Sequence, residues 1–313
     1  MRRVKFIVPS SPGLLGLAMG LAFNACAEDA TLPTVLVQSH SSAELNADSV
    51  SNPFRVAPSS RSSVQVMTSE DIAAFNPRDV FDLLSHAVGV FPMYQGRKVP
   101  VHLQIRGDTN FAYIIDGAYV ERDTGSRILS NLPVSVIEQV DVVRDATALT
   151  LGPMVNFTSP SGAPNDGFIV IRTKRPTHNE VQLKGVAENL GTLGVEVSGA
   201  VASEENYVSG ALRSFSTDGP SGEHSARDNT TGIVKGGFVR DNVAFDLMAY
   251  HDSGKFEFQR ADTGISTAAL VDMKWGFDPI ETTLLVANGR VSWNAEQTSL
   301  LSFYQNELKA SFQ

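Results

Sequence analysis

The residue types that most often catalyse reactions or bind metals are scattered through this sequence. The six histidines show no paired spacing of the kind that a zinc site needs; they are His40, His86, His102, His178, His224 and His251. The carboxylate pairs Glu121/Asp123 and Asp141/Asp145 have the right type for acid–base catalysis, but solvation at turns and strand ends explains them more simply. The sequence therefore predicts a protein that is not an enzyme, with no catalytic residue, metal site or cofactor.

The wider sequence also lacks the motifs of common catalytic and nucleotide-binding sites. It contains no nucleophile elbow, phosphate-binding loop or dinucleotide-binding fingerprint. The net charge is −9, whereas a nucleic-acid-binding protein needs a basic surface. The single cysteine, Cys26, cannot form a disulfide framework. A composition of 42% hydrophobic and 19% charged residues is that of a chain with a packed core, and the negative net charge predicts no nucleic-acid partner.

Residues 1–27 have the layout of a secretory signal peptide. Arg2, Arg3 and Lys5 supply a positive start, and residues 14–23 form an apolar run that is too short to span a bilayer. Small residues follow in the sequence Ala25-Cys26-Ala27, which predicts cleavage before Glu28. The alternative is an uncleaved anchor. The cleaved-signal interpretation predicts an exported protein.

A polar arm rich in Ser, Ala and Asn extends over residues 28–58 and contains one apolar segment. This segment is Leu32-Pro33-Thr34-Val35-Leu36-Val37, whose proline and β-branched residues favour an extended backbone. An extended segment on a flexible arm is suited to adding a strand to a partner's sheet. On the residues alone, an isolated apolar patch or a first strand of the next domain is the better explanation.

Short helices and short β-branched strands alternate over residues 59–176. Thr68 and Asp71 have the spacing of a helix-capping pair, and Asn76-Pro77 predicts the start of a second helix. The predicted strands are short runs that end at Gly, Asp, Arg or Lys; they include Leu103–Gly107, Tyr113–Gly117, Ile137–Arg144 and Gly167–Lys174. This alternation predicts a small α+β domain.

Residues 177–313 consist of runs of about ten residues in which apolar and polar positions alternate. The run at residues 243–250 is one example, and the tight turn Asp241-Asn242 precedes it. Short turns and longer polar stretches alternate between the runs, which is typical of an outer-membrane β-barrel. A soluble β-sandwich is the alternative, because each strand signal is weak by itself.

Two arginines stand out because each follows an apolar strand. Arg106 and Arg144 would be costly inside a domain unless they were paired or hydrogen-bonded. Either they form buried pairs or they simply reach solvent, and the residues alone do not decide between the two.

The ordered series of motifs from about Val64 to Lys174 resembles the plug domain of TonB-dependent outer-membrane receptors. The motifs that carry the resemblance are the Thr68–Ile72 helix start, Asp79–Val90, Ile105-Arg106-Gly107, Tyr113–Gly117, Leu132-Pro133, Ile137–Arg144, Leu151-Gly152 and Gly167–Lys174. The resemblance implies an α+β plug domain at 59–176, followed at 177–313 by the N-terminal part of an antiparallel transmembrane β-barrel. One departure is Asp145-Ala146 after Arg144, where the family usually has Gly-Pro.

The resemblance also implies site residues. Leu32–Val37 would be the TonB box that binds the energy-coupling protein TonB, and Arg106 and Arg144 would form ion pairs between plug and barrel. The ligand-facing residues would be Phe91, Met93, Tyr94, Asn110 and Phe111. Exposed aromatic residues at loop tips are also ordinary packing residues, and that alternative stays open.

The function that the resemblance implies is energised uptake of a scarce ligand, such as a ferric siderophore, across the bacterial outer membrane. The partners would be TonB, the extracellular ligand and outer-membrane lipid. The family closes a 22-stranded barrel, which needs roughly 450 residues, so the chain is expected to be a fragment or truncated form with about seven to nine strands. The alternative function is a soluble periplasmic binding or signalling module without transport.

Overall fold

A computed structural model describes residues 64–94, 101–144, 167–259, 274–294 and 297–313. All of these residues belong to one compact unit, His40–Gln313. Within the described ranges, no helix combines the length and the apolar character that are needed to cross a membrane. The predicted signal peptide and residues Leu32–Val37 lie outside the described residues.

In the N-terminal region, the described residues 64–94, 101–144 and 167–173 form an α+β arrangement of seven strands and three helices. The helices are α1 (Ser69–Phe75), α2 (Val80–Ser85) and α3 (Arg122–Asn131), and a 3₁₀ turn covers Val134–Val136. The strands are β1 (Val64–Met67), β2 (Val90–Tyr94), β3 (Val101–Ile105), β4 (Ala112–Ile115), β5 (Ala118–Val120), β6 (Ile137–Arg144) and β7 (Gly167–Thr173). The expected α+β fold is confirmed for this region.

Side-chain caps explain where the first two helices begin. The Thr68 backbone N–H donates to Asp71 over 2.8 Å, and the Asp71 N–H donates back to the Thr68 hydroxyl over 3.4 Å. This confirms the predicted capping pair. The predicted start at Asn76 is wrong: Asn76 ends α1 with φ 43°, and Asp79 caps α2 instead by accepting from the Asp82 N–H. Asn tolerates the left-handed conformation that ends a helix, so Asn76 serves as a C-cap.

Five strands of the region form one sheet in the order β1-β6-β7-β4-β5, and β2 pairs with β3 in a separate hairpin. Only the β4–β7 pair is parallel among the described pairs of these sheets. Asp116-Gly117 joins β4 to β5 with φ of 47° and 89°, as a two-residue type I′ hairpin turn requires. The turn therefore projects the Asp116 side chain from the end of a rigid pair of strands.

The described residues of the C-terminal region form one antiparallel sheet of seven long strands, paired in sequence order. The strands are β8 (Glu180–Glu188), β9 (Thr192–Ala202), β10 (Asn206–Thr217), β11 (Arg227–Arg240), β12 (Val243–Glu257), β13 (Gly276–Ser292) and β14 (Thr298–Phe312). Residues 203–205 and 241–242 connect strands at what we call the short-turn end, where β13 ends and β14 begins. Residues 189–191 and 218–226 connect them at the long-loop end, where β12 ends and β13 begins. The sheet is open, with β8 and β14 at its two edges.

The two faces of this sheet differ in chemistry. Along β12, Ala244, Asp246 and Met248 are buried, whereas Phe245 and Leu247 between them are exposed. The buried face packs on the N-terminal region, and a single core cluster contains Ile128 and Leu129 of α3 together with residues of β10 to β13. The exposed face is rich in large aliphatic and aromatic side chains, so the sheet has a mixed polar–apolar inner face and an apolar outer face.

Candidate functional site

The inner face of the sheet and the N-terminal region meet through two buried polar clusters. The first, which we call the Lys235 cluster, consists of Asp116, Thr173, Arg175, Lys235, Asp246 and Asn288. It lies toward the short-turn end, because Lys235 and Asp246 flank the turn at residues 241–242. Buried charges occur in proteins when they are paired or hydrogen-bonded, so each contact in this cluster needs to be considered.

Asp116 is fixed before it meets the sheet. Its carboxylate accepts a hydrogen bond from the Thr173 backbone N–H over 2.8 Å and another from the Thr173 hydroxyl. The β4–β5 turn and β7 therefore hold the carboxylate in one orientation. A side chain with so little freedom loses little entropy when a cation binds to it.

Lys235 of β11 reaches from the sheet to this carboxylate. Its ammonium donates to Asp116 Oδ2 over 3.1 Å, to the Thr173 carbonyl over 3.1 Å and to the Thr173 hydroxyl over 2.9 Å. An ammonium has three N–H donors, so all three have acceptors. The Lys235 side chain is only 4% exposed, and its pairing with Asp116 is therefore a buried ion pair between the two regions.

Asp246 and Asn288 complete the cluster from β12 and β13. Arg175 Nη2 lies 2.5 Å from Asp246 Oδ2, and Lys235 Nζ lies 4.0 Å from the same oxygen. The Asn288 amide donates to the Asp116 carbonyl over 2.9 Å and to Asp246 Oδ1 over 3.0 Å. The negative charges of Asp116 and Asp246 are thus balanced by the positive charges of Lys235 and Arg175. The cluster links strands β11, β12 and β13 of the sheet to the β4–β5 turn.

Glu138 of β6 adds a further carboxylate near this cluster. Burial raises its pKa, and the positive charges of Lys235, Arg175 and Arg172 oppose that rise. Arg172 is itself engaged with Asp141, since Arg172 Nη1 lies 2.7 Å from Asp141 Oδ2. The charges around Glu138 therefore stabilise its ionised form less than burial destabilises it.

The second cluster, which we call the arginine cluster, consists of Arg127, Arg213 and Arg227 at the long-loop end. Arg213 and Arg227 both donate to the Ser130 carbonyl of α3, over 3.4 and 3.3 Å, and Arg227 also donates to the Asn131 side chain. Cations are favourable at the carbonyl end of a helix, where they satisfy acceptors that have no partner in the helix. The sheet therefore caps α3 from outside the N-terminal region.

Arg127 is placed among aromatic rings beside a small cavity. Its guanidinium lies 5.0 Å from the centre of the Phe277 ring and 5.9 Å from that of Phe256. Burial lowers its pKa to about 10, so it is charged at neutral pH. The cavity has a volume of about 20 Å³ and is lined mainly by polar residues, which include Arg227, Asn131, Asp252 and Thr282. That volume is enough for a single water molecule.

The predicted ligand-facing residues are divided between surface and core. Phe91 and Tyr94 are 57% and 55% exposed, and Met93 between them is half-buried on β2. Asn110 is half-buried. Phe111 is only 3% exposed and packs edge-on against Tyr113, with ring centres 5.3 Å apart. Phe111 is therefore a core residue, which is the packing alternative that the sequence left open.

The two predicted ion-pairing arginines have other surroundings. Arg106 is exposed, and its backbone has φ 54°. Arg144 donates to the Gln65 side chain over 2.8 Å and to the Val88 carbonyl over 2.5 Å, both within the N-terminal region. Burial lowers the pKa of Arg144, and the nearby charge of Arg106 lowers it further. Within the described ranges no ion pair joins either arginine to the sheet, so their pairing with barrel carboxylates stays a prediction.

Sequence reasoning missed the residues that join the two regions, namely Lys235, Asp246, Asn288, Arg213 and Arg227. A signal was present in β12, where Asp246 falls on the same alternating face as Ala244 and Met248. A charge on the buried face of a strand needs a partner. The sequence did not reveal the strand register, which brings Asp246 close to Lys235 of β11 and to the N-terminal region. No group of three or more His, Cys, Asp or Glu side chains among the described residues is arranged to hold a metal ion.

Comparison with known families identifies the N-terminal region. Residues 58–156 match the family model of the TonB-dependent receptor plug domain. The N-terminal region is thus similar to a plug domain, and we refer to it as the plug. Comparison with curated protein sequences gave no match. The Lys235 and arginine clusters are therefore contacts between the plug and the sheet that follows it.

Solved structures of outer-membrane receptors share this fold. The alcaligin receptor FauA of Bordetella pertussis is 14% identical, with a TM-score of 0.60 over 83% of this chain and 40% of FauA. FpvA of P. aeruginosa, solved with heterologous pyoverdines, is 16% identical, with a TM-score of 0.61 over 82% of this chain and 35% of FpvA. The ferric yersiniabactin uptake receptor FyuA of Yersinia pestis is 13% identical, with a TM-score of 0.59 over 80% of this chain and 42% of FyuA.

At these identities the likeness shows the fold. The chain spans about 40% of the length of these receptors, so its seven-stranded sheet is part of a barrel and is not closed. The expected fold class, a plug domain followed by an incomplete antiparallel barrel, is confirmed. The number of described strands, seven, lies within the expected seven to nine.

Proposed function

We propose that the chain is the N-terminal part of a TonB-dependent receptor for the energised uptake of a scarce ligand, such as a ferric siderophore, across the outer membrane. The observation that supports this most directly is a plug domain held by buried ion pairs against the polar face of a sheet whose other face is apolar. In this proposal residues 1–27 are removed on export, residues 28–58 form the arm, 59–176 the plug and 177–313 the start of the barrel.

The apolar outer face favours a membrane receptor over a soluble periplasmic module. Large apolar side chains at alternate positions are 36–85% exposed; they include Val181, Leu183, Val195, Val197, Val208, Leu212, Val234, Val243, Phe245, Leu247 and Leu285. Soluble monomers rarely expose apolar patches larger than a few hundred Å², whereas an outer-membrane strand alternates apolar-out with polar-in. We propose that this face contacts lipid.

Membrane fractionation tests the location. The chain should sediment with outer membranes and should stay there after washing with high salt and with alkaline carbonate, because its apolar face is dissolved in lipid. Release of the chain into the soluble fraction by either wash would contradict the receptor proposal and support the soluble periplasmic module.

We further propose that Leu32–Val37 binds TonB by adding a strand to its sheet. Main-chain N–H groups carry this type of recognition, and proline lacks one. Val35→Pro should therefore abolish capture of the chain by the purified periplasmic domain of TonB. Ala47→Pro, in the same polar arm but outside the segment, is the matched control and should bind normally. Equal capture of both variants would show that another segment is the TonB box.

In this mechanism, force from TonB must open the contact between plug and sheet. The Lys235 cluster would resist this opening, because moving Asp116 away leaves Lys235 buried without that carboxylate. The ligand would approach from the long-loop end and would contact Phe91, Met93, Tyr94 and Asn110. Phe111 would support that surface from the core. Transport also requires the edges of β8 and β14 to be paired, since unpaired N–H and C=O groups are costly in lipid.

A further inference from the structure

Glu196 of β9 is a buried carboxylate that lies between two cations of the sheet. It is directly opposite Lys184 of β8 on one side and Arg213 of β10 on the other, so the three side chains share the inner face. We call these residues the Glu196 triad. Directly opposite residues on neighbouring strands have Cβ atoms about 4.5–5.5 Å apart, a separation that a lysine or arginine side chain easily spans to reach a carboxylate.

Both cations of the triad nevertheless bind the plug. Lys184 Nζ donates to the Pro77 carbonyl over 2.9 Å, and Arg213 Nη1 donates to the Ser130 carbonyl over 3.4 Å. Neither cation forms an ion pair with a carboxylate of the residues that the structure describes. Each cation therefore has a neutral carbonyl of the plug as its acceptor, and a carbonyl is a weaker partner for a cation than a carboxylate is.

The carboxylate itself lacks a full set of partners. Glu196 is only 8% exposed, and its Oε1 atom is buried without a hydrogen-bond partner. A buried acceptor without a partner is unfavourable, and more so when it carries a charge. The present arrangement therefore has an unfavourable feature at the point where the plug accepts hydrogen bonds from the two neighbours of Glu196.

We propose that the Glu196 triad exchanges partners when the plug moves: Lys184 and Arg213 lose their plug carbonyls and pair with Glu196. This inference deepens the proposed uptake function and rests on it, because that function requires force from TonB to displace the plug. After displacement, strands β8 to β10 pair their own charges, whereas Lys235 is left without the Asp116 carboxylate. The triad therefore lowers the cost of opening on its side of the sheet.

Thiol labelling of the plug tests this exchange without TonB and without a ligand. Ser135 lies in the 3₁₀ turn that contacts β10, and its hydroxyl is buried. In a Cys26→Ser background, Ser135→Cys in the purified full chain should react with a maleimide only when the plug leaves the sheet, so that the rate reports the opening equilibrium. Glu196→Gln should slow this labelling by about fivefold or more, because the open arrangement then lacks its ion pairs.

Glu188→Gln is the matched control, because Glu188 of β8 pairs with the plug in the present arrangement. Its Oε2 atom lies 3.7 Å from Arg78 Nη1 of the plug. Loss of this pair should leave the labelling rate unchanged or raise it by up to about fivefold. A labelling rate that Glu196→Gln leaves unchanged or raises would overturn the proposal, because the carboxylate would then not favour the open arrangement.

Relief of the unpaired carboxylate would by itself slow labelling, so a second measurement identifies the new partner. A zero-length carbodiimide cross-linker joins a lysine to a carboxylate where the two are in contact. In Lys235→Met, which weakens the plug–sheet contact, the Lys184–Glu196 cross-link should increase by about fivefold or more over the wild-type chain. The pair Lys309–Glu307 of β14, 3.0 Å apart, is the control and should cross-link equally in both proteins.

Coupling of Glu196 to an added amine in place of Lys184 would overturn the exchange, because the carboxylate would then be exposed on opening without being paired. Both measurements are independent of transport. A chain that shows the exchange but is washed from membranes would contradict the uptake function and leave the triad as a property of the plug–sheet contact. A membrane-bound chain without the exchange would overturn the triad alone.

Discussion

Lys235 shows how a single side chain can hold two regions together. Its ammonium has three acceptors, all from the plug, and the side chain is 4% exposed. A buried ion pair adds little stability compared with an apolar pair of the same shape, but removal of one partner leaves the other charge buried and alone. Replacing Lys235 alone should therefore lower the stability of the protein by much more than the intact ion pair contributes to it.

We expect Lys235→Met to lower the free energy of unfolding by about 3–5 kcal/mol, because Asp116 would then stay buried without the ammonium that pairs with it. Denaturant titration in detergent measures the change. Lys184→Met is the matched control: its ammonium donates to the Pro77 carbonyl over 2.9 Å, without a carboxylate partner, and should cost about 1 kcal/mol. Equal losses in the two variants would contradict the role of the Lys235 cluster.

Gly125 of α3 gives a second prediction at this scale. A Cβ atom at this position would lie 2.1 Å from the ring carbon Cδ2 of Tyr113, whose side chain is fully buried. Gly125→Ala should therefore destabilise the plug by about 3 kcal/mol through overpacking. Gly185→Ala in β8 meets nothing within 4 Å and should change the free energy of unfolding by no more than about 0.5 kcal/mol. A tolerated Gly125→Ala would show that α3 does not pack this closely.

At the scale of helices and strands, the sequence could predict the features that depend on neighbouring residues. The capping pair Thr68/Asp71 and the strand runs are decided by neighbouring residues, and they were predicted correctly. Asn76-Pro77 was misread because Asn serves equally well at either end of a helix. Helix α3 is mostly polar yet buried: Ser126 donates to the Val101 carbonyl of β3, whereas Arg127 lies against Phe256 and Phe277 of the sheet. That burial depends on a distant part of the chain, which no local pattern in α3 reports.

Glu138 of β6 lies near the plug–sheet contact, and its protonation leads to a prediction about how stability depends on pH. Burial raises its pKa, so the folded chain holds the proton more tightly than the unfolded chain. The stability due to this proton is fully present below the ordinary pKa of glutamate, and it is lost as the pH rises toward the raised value. The glutamine of Glu138→Gln does not ionise, so the variant does not lose this stability. We therefore expect its free energy of unfolding to rise relative to that of the wild type as the pH increases.

The measurement is the free energy of unfolding of both proteins from about pH 4 to about pH 8. The difference between them isolates Glu138, because every other residue is the same in both proteins. A constant difference for Glu138→Gln would mean that the carboxylate is ionised equally in the folded and unfolded chains.

At the scale of the whole molecule, the two faces of the sheet differ: the inner face is partly polar and the outer face is apolar. Alternation along the strands was visible in the sequence and predicted the faces correctly, as the burial along β12 shows. The contacts between plug and sheet were not visible. They join residues far apart in sequence, such as Asp116 to Lys235 and Ser130 to Arg227, and they depend on the exact register of seven strands. The alternation of apolar and polar residues indicates on which face of the sheet a side chain lies, but it does not indicate which residues that side chain contacts.

The outer face provides the last prediction, which rests on the proposed contact with lipid. Leu247 is near the middle of the apolar face of β12 and is 51% exposed, whereas Val243 on the same face begins the strand at the short-turn end. An arginine on a lipid-facing strand costs about 2–4 kcal/mol at the bilayer midplane and about 0–1 kcal/mol near the interface. Leu247→Arg should therefore destabilise the chain in lipid vesicles much more than Val243→Arg.

Depth is the only intended difference between these two variants, because residue type, strand and face are the same. Denaturant titration in vesicles measures the gap between them, and repetition in thinner bilayers should narrow it, since Leu247 then lies closer to an interface. In a soluble module both positions would face water, and an arginine at either would change stability by no more than about 0.5 kcal/mol. Equal, small effects in vesicles of every thickness would therefore contradict a lipid-facing sheet, and with it the uptake function that we propose.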